Sequence, residues 1–149
     1  MAVKEILDQR VIDLDMEART KDDVIRYLAG LLKAAGYIDD LGGYVRDVYL
    51  RESEGITGIG NHVAIPHGKS DHVERVGIAV GRTREMVEWA SYDGEPSDLF
   101  FLFAVPSDSK GAKDHLRLIA ELASKLGNDG IMQKLQTAKS YGELLEVFS

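Results

Sequence analysis

The sequence predicts a single layered α/β domain, and three observations carry that reading. Leu99 to Val105 is apolar without alternation, the pattern of a strand covered on both faces. Thr20-Lys21-Asp22-Asp23 has capping-box spacing ahead of an apolar stripe at helical intervals, the signature of an amphipathic helix. Strand-like and helix-like segments then interleave from end to end, with no internal repeat, low-complexity tract or long linker. Residues 1–149 therefore read as one domain, long enough to bury an ordinary core.

In chain order, Val11-Ile12-Asp13-Leu14 reads as a short strand. The helix capped at Thr20 turns Val24, Leu28, Leu31, Leu32 and Ala35 inward, carries acidic residues at the positive end of its dipole, and stops at Gly36. A second helix is expected after Gly42-Gly43, with Tyr44, Val45, Val48 and Tyr49 on its apolar side and Arg51 and Glu52 at its end. Val63-Ala64-Ile65 is a brief strand ended by Pro66, which has no N–H for a ladder. Val76 to Val80 and Met86 to Trp89 are two further strand candidates, followed by a turn at Tyr92-Asp93-Gly94-Glu95-Pro96. After the Leu99–Val105 strand and Pro106 comes a polar loop, Ser107 to Lys113. A helix is expected from Asp114 to Leu126 with Leu116, Ile119, Ala123 and Leu126 inward, then Gly127, a short helix around Ile131 to Gln136, and another capped by Ser140 and Glu143.

Composition narrows the function. No cysteine is present, which removes disulfides, thiolate metal sites and a cysteine nucleophile and agrees with a reducing compartment. The N-terminal residues lack a signal-peptide apolar core, and no apolar run reaches membrane-spanning length, so a soluble cytoplasmic protein is expected. A formal net charge of −7 opposes non-specific binding to nucleic acid or anionic lipid.

The chemistry centres on His67. It follows Pro66 where the short strand stops, and Gly68 behind it lets the backbone turn and bring N–H groups close to a ligand. An imidazole with an ordinary pKa near 6.5 keeps a neutral, nucleophilic fraction at neutral pH, as a phosphoryl carrier needs. On chemistry alone, a lone histidine at the end of a strand is more often a hydrogen-bonded loop residue than a nucleophile. The three histidines His62, His67 and His72, five residues apart, share no helical face, and no H-E-x-x-H or cysteine-containing zinc pattern occurs, so no metal site is expected. Gly55 to Gly60 lacks the G-x-x-x-x-G-K-[ST] order of a P-loop, so no nucleotide cofactor is implied.

Ala64-Ile65-Pro66-His67-Gly68, preceded by Thr57-Gly58-Ile59-Gly60 and by Arg51-Glu52, resembles the active-site signature of the fructose/mannitol-type enzyme IIA domains of the bacterial sugar phosphotransferase system, EIIA type-2. The likeness continues through Asp93-Gly94, Leu99 to Val105 with Pro106, and His115-Leu116 to Leu126. His62 departs from it, standing where a small or aliphatic residue is expected, and the polar loop before His115 is long.

The resemblance implies a mixed, largely parallel sheet of about five strands flanked by helices. It implies that His67 accepts phosphate from the histidine phosphocarrier protein and passes it to a cysteine on a cognate IIB domain, with any link to the membrane IIC component made through IIB. His115 matches the family's second active-site histidine; in the first turn of its helix it would hydrogen-bond phosphoryl oxygens or orient His67, whereas on chemistry alone it is a partly buried packing residue. Arg51, which could equally cap helix carbonyls, would bind the phosphoryl group through its planar fork. Glu52 would orient Arg51 or a histidine, and Lys69 is solvated by default. Thr57 hydroxyl and the backbone at Gly68 are the candidate phosphoryl-oxygen donors. The alternative function is that of the nitrogen-related IIA proteins, in which phosphorylation state controls binding to target proteins.

Overall fold

The computed structural model describes residues 2–149, apart from the side chains at positions 109–112 and 114. Its centre is β6 (Ser97–Pro106), and the non-alternating run has the predicted consequence. Leu99, Phe101, Phe103 and Val105 enter one apolar cluster, while Phe100, Leu102 and Ala104 enter another on the opposite face. All seven are fully buried, so neither face needs polar residues.

One face is covered by α2 (Lys21–Ala34) and α3 (Leu41–Glu52), which supply Val24, Ile25, Leu28, Tyr44, Val45 and Val48. Thr20 caps α2 in a complete capping box with Asp23. Gly36 ends that region at φ 82°, a left-handed conformation that suits glycine. α3 begins before the glycine pair, because Asp40 accepts a hydrogen bond from the Gly43 N–H and acts as its N-cap. The other face is covered by α1 (Val3–Ile6), α4 (Ser109–Leu126), α5 (Asp129–Thr137) and α6 (Tyr141–Val147). Asn128 and Ser140 cap α5 and α6.

The sheet has six strands in the order β1-β5-β6-β3-β2, with β4 also paired to β6. β1 (Ile12–Met16) runs parallel to β5 (Gly77–Val87), and β3 (Val63–Ala64) and β4 (His67–Ser70) run parallel to β6. β5 with β6, and β2 (Gly58–Gly60) with β3, are antiparallel. The sheet is therefore mixed, with one strand more than expected and with its longest pairing antiparallel.

Four local expectations are corrected. The strands sought at Val76–Val80 and Met86–Trp89 are one strand, β5, because it pairs with β1 on one side and β6 on the other and carries its polar residues Arg82 and Arg84 to hydrogen-bond partners. Pro66 interrupts pairing without ending it: its carbonyl accepts from the Phe103 N–H at 3.0 Å, and β4 resumes at His67. α4 begins at Ser109, so most of the predicted polar loop is its opening turns. Its buried stripe is accordingly Leu118, Leu122 and Leu126, and Leu116 is 68% exposed.

Candidate active site

Two neighbouring strand pieces and the ends of two helices assemble the site. His67 opens β4 opposite Phe103 of β6, and paired residues of adjacent strands share a face, here the α4 side. Gly68 is consequently aimed at α3, where a Cβ would stand 2.8 Å from both Tyr44 Cε1 and Val48 Cγ2. Close approach of α3 is what needs a glycine there. The sharp turn expected at Gly68 is absent, since it lies in the β4–β6 ladder.

The His67 ring is anchored. Its Nδ1 lies 3.3 Å from the Ile65 carbonyl oxygen. A carbonyl only accepts, so Nδ1 carries the proton and Nε2 keeps its lone pair. Burial pushes the His67 pKa below its ordinary value, partly opposed by the Ile65 bond and reinforced by the Arg51 charge. At neutral pH the ring is neutral, and Nε2 keeps its lone pair.

His115 approaches from α4. Its ring centroid is 4.8 Å from that of His67, and it packs edge-on to Phe103 at 5.5 Å. It belongs to the second turn of α4 rather than the first, where the effect of the helix dipole has largely faded. Its position owes more to that packing than to a helix end. Burial, then the charges of His67, Arg51 and Lys69, hold its pKa down at about 4. Its Nε2 is buried and has no hydrogen-bond partner among the described residues. A nitrogen left so costs roughly 1–3 kcal/mol, a state it shares with Glu52 Oε2 and Ser97 Oγ.

Arg51, in the last turn of α3, makes a 3.4 Å contact from Nη1 to the Gly55 carbonyl and no other hydrogen bond among the described residues. Its charge is felt by both histidines, so the guanidinium is near the pair and largely uncommitted. Lys69 likewise bears on His115.

Glu52 and Thr57 differ from expectation. The Glu52 side chain is 5% exposed; Oε1 takes the Lys21 ammonium at 2.5 Å and the Thr57 hydroxyl at 3.0 Å. It makes no hydrogen bond to Arg51 or to a histidine among the described residues. Thr57 is buried and its hydroxyl also accepts from Trp89 Nε1 at 2.9 Å. With its single proton donated to Glu52, that hydroxyl has none for a phosphoryl oxygen. This cluster of Lys21, Glu52, Thr57 and Trp89 was not legible locally, since Lys21 and Trp89 are remote from the signature and only closure of the sheet brings them to it.

His62 has a structural task. Asn61 and His62, at φ 56° and 65°, form the two-residue turn between β2 and β3, a type I′ geometry, and His62 Nδ1 donates to the Pro96 carbonyl at 2.9 Å. His72 pairs with Asp39 at 3.0 Å, away from His67. No group of three or more metal-ligating side chains occurs among the described residues.

Two imidazoles packed 4.8 Å apart beside a guanidinium whose charge both feel, on a mixed sheet, are the arrangement to set against known proteins. Residues 5–149 match the family model described as "Phosphoenolpyruvate-dependent sugar phosphotransferase system, EIIA 2", and the chain belongs to that family. It is 30% identical to the fructose-specific EIIA component of Haloferax volcanii over 99% of this chain and 94% of that protein. It is 33% identical to the fructose-specific EIIABC component of Bacillus subtilis over all of this chain but 23% of that longer protein, so it spans about a quarter of such a relative. Among solved structures, the nitrogen regulatory protein IIA-Ntr of Neisseria meningitidis superposes with a TM-score of 0.89 at 33% identity, covering 98% of both chains. Escherichia coli enzyme IIA mannitol, solved in complex with phosphorylated enzyme IIB mannitol, superposes with a TM-score of 0.80 at 25% identity, covering 95% of this chain and 96% of that one.

Proposed function

We propose that residues 1–149 act as one cytoplasmic EIIA unit in which His67 Nε2 accepts a phosphoryl group from the phosphohistidine of a histidine phosphocarrier protein and passes it to a cysteine of a cognate IIB domain of the fructose/mannitol type. The observation that carries this reading is the fixed tautomer of His67: Nδ1–H is bound to the Ile65 carbonyl and Nε2 has no hydrogen-bond partner among the described residues, in a ring that burial keeps neutral. In the first step the donor's P–N bond breaks, its electron pair returns to the donor ring, and a new P–N bond forms at Nε2. In the second, a IIB thiolate takes the phosphoryl group and Nε2 recovers its lone pair. The loose transition state spreads charge over equatorial oxygens, so the chain's contribution is position and charge. Arg51 supplies a fork for those oxygens, and neutral His115, in the tautomer with its proton on Nε2, supplies a donor.

Partner docking is supported by exposed apolar side chains on the segments that carry the site: Leu50, Ile56, Ile59 and Leu116. No helix among the described residues is long and apolar enough to cross a membrane, in keeping with an association with a IIC component through IIB.

The reading is tested by incubating the chain with labelled phosphocarrier and then with a panel of IIB proteins. Acid-labile phosphate on His67, absent in His67→Gln, and onward transfer to one IIB are expected. The likeness to IIA-Ntr favours a second reading, in which phosphorylation of the same histidine controls binding to a non-sugar target. Phosphorylation without a IIB acceptor, together with a complex that depends on phosphorylation state, would select it.

A further inference from the structure

The phosphoacceptor is held by a chain of contacts that begins outside the signature. Lys21 and Thr57 both reach Glu52 Oε1, and Trp89 Nε1–H donates to the Thr57 hydroxyl. The Lys21 ammonium also lies 4.9 Å from the Trp89 ring centroid, closing the group on itself. Thr57 is thus clamped by its side chain. Its backbone carbonyl accepts from the Ile65 N–H at 2.9 Å, and the Ile65 carbonyl accepts from His67 Nδ1. The same residue therefore ties a buried polar cluster to the peptide that sets the nucleophile's tautomer.

We infer that Thr57, clamped between Glu52 and Trp89, is a positioning residue that keeps the His67 proton on Nδ1 and so keeps Nε2 nucleophilic. This rests on the reading of His67 as the phosphoryl acceptor. The physical reason is that Pro66 has no N–H to add to the ladder: on its far side the Pro66 carbonyl is fixed by the Phe103 N–H, and on its near side Ile65 needs a reference of its own. Thr57 supplies it through one backbone bond. Its hydroxyl can do so because both of its hydrogen-bonding roles, one donated and one accepted, are filled by groups that are themselves buried. If the clamp loosens, the Ile65 carbonyl shifts, and the neutral ring is free to carry its proton on Nε2, which cannot attack phosphorus.

The test compares Thr57→Val, nearly isosteric but without the hydroxyl, with Thr57→Ser, which retains it, in the full chain. Ring ¹⁵N shifts measured at about pH 8, where histidine is neutral, report the His67 tautomer, and single-turnover phosphorylation reports the rate at saturating and limiting phosphocarrier. Thr57→Val is expected to move a measurable fraction of the proton to Nε2. It should slow phosphorylation by up to about tenfold, the effect of about one lost neutral hydrogen bond, with the KM for the phosphocarrier unchanged and with Thr57→Ser close to wild type. Wild-type tautomer and rate in Thr57→Val, or equal losses in Val and Ser, overturn the inference. Should Thr57→Val not fold, Trp89→Phe, which removes the indole N–H while keeping an aromatic ring, is expected to shift tautomer and rate in the same direction, and a wild-type tautomer there overturns it equally. His67→Gln separates the two levels: if it still accepts phosphate, the acceptor reading itself has failed, whereas an inert His67→Gln beside a fully active Thr57→Val leaves that reading intact and removes the positioning role.

Discussion

The two imidazoles of the site are one ring apart yet held in opposite ways. His67 sits on a strand, with one nitrogen fixed by a carbonyl and the other open. His115 sits on a helix, wedged against Phe103 and the His67 ring, with a buried Nε2 that nothing among the described residues satisfies. The first arrangement fits the nucleophile we propose, because a fixed tautomer presents one lone pair in one direction. The second defines a receptor, because an unmet donor or acceptor in a dry site is strongest when charge arrives beside it. Both rings are held neutral mainly by burial, and His115 more so because the charges of His67, Arg51 and Lys69 add to the effect.

The largest expected effect tests that division directly. His67→Gln should abolish phosphorylation while keeping the fold, whereas His115→Ala should still be phosphorylated at His67, about tenfold to a hundredfold more slowly in each direction, from the loss of one charge-assisted hydrogen bond. Single-turnover transfer into and out of the domain, with peptide mapping, measures both. Stoichiometric phosphate on His115 would reverse the roles.

Arg51 comes next. Arg51→Ala should slow transfer more than Arg51→Lys, which keeps the charge but loses the planar fork. Rates equal to wild type in both variants would leave Arg51 as a helix cap only.

A smaller effect concerns acid stability. The His115 pKa is lowered from 6.5 to about 4 in the folded chain. Between those values the unfolded chain binds the proton and the folded chain does not, so stability falls as pH drops from 6.5 towards 4. The buried His67 contributes in the same direction. Denaturant melts across this window should show a shallower pH slope in His115→Asn than in wild type; an unchanged slope would mean that His115 titrates normally.

The smallest concerns His62, whose departure from the family pattern is accommodated by the turn. At φ 65°, His62→Gly should stay within about 1 kcal/mol of wild type, since relief of the left-handed cost offsets the lost Pro96 bond. His62→Ile should cost roughly 1–2 kcal/mol, because a branched side chain is poorly tolerated at positive φ. Chemical denaturation distinguishes the two.

The elements most legible in the sequence were those whose cause is local. The capping boxes and caps at Thr20 and Ser140, the stop at Gly36 and the doubly buried strand at Leu99–Val105 depend on neighbours within one or two turns or on an unbroken apolar run. Long β5 was read as two strands because Arg82 and Arg84 interrupt its apolar pattern, and their partners, the Leu14 and Leu135 carbonyls and Asp15, lie far along the chain. The early start of α4 was hidden by a polar stretch that also suits a loop, and that shifted the predicted inward stripe from Leu118 and Leu122 to Leu116.

By itself the sequence determined the layered α/β class, the main helices and the central strand, because residue type and spacing carry those properties along the chain, whereas His67, His115 and Arg51 were marked together only through the family resemblance. Tertiary structure alone decided that His67 opens a strand with its proton on Nδ1, that His115 Nε2 has no partner among the described residues, and that Thr57 and Glu52 belong to a cluster with Lys21 and Trp89. Those are properties of groups brought together across the sheet. Their tautomers, burial and hydrogen-bond partners exist only once distant segments have displaced water from one another.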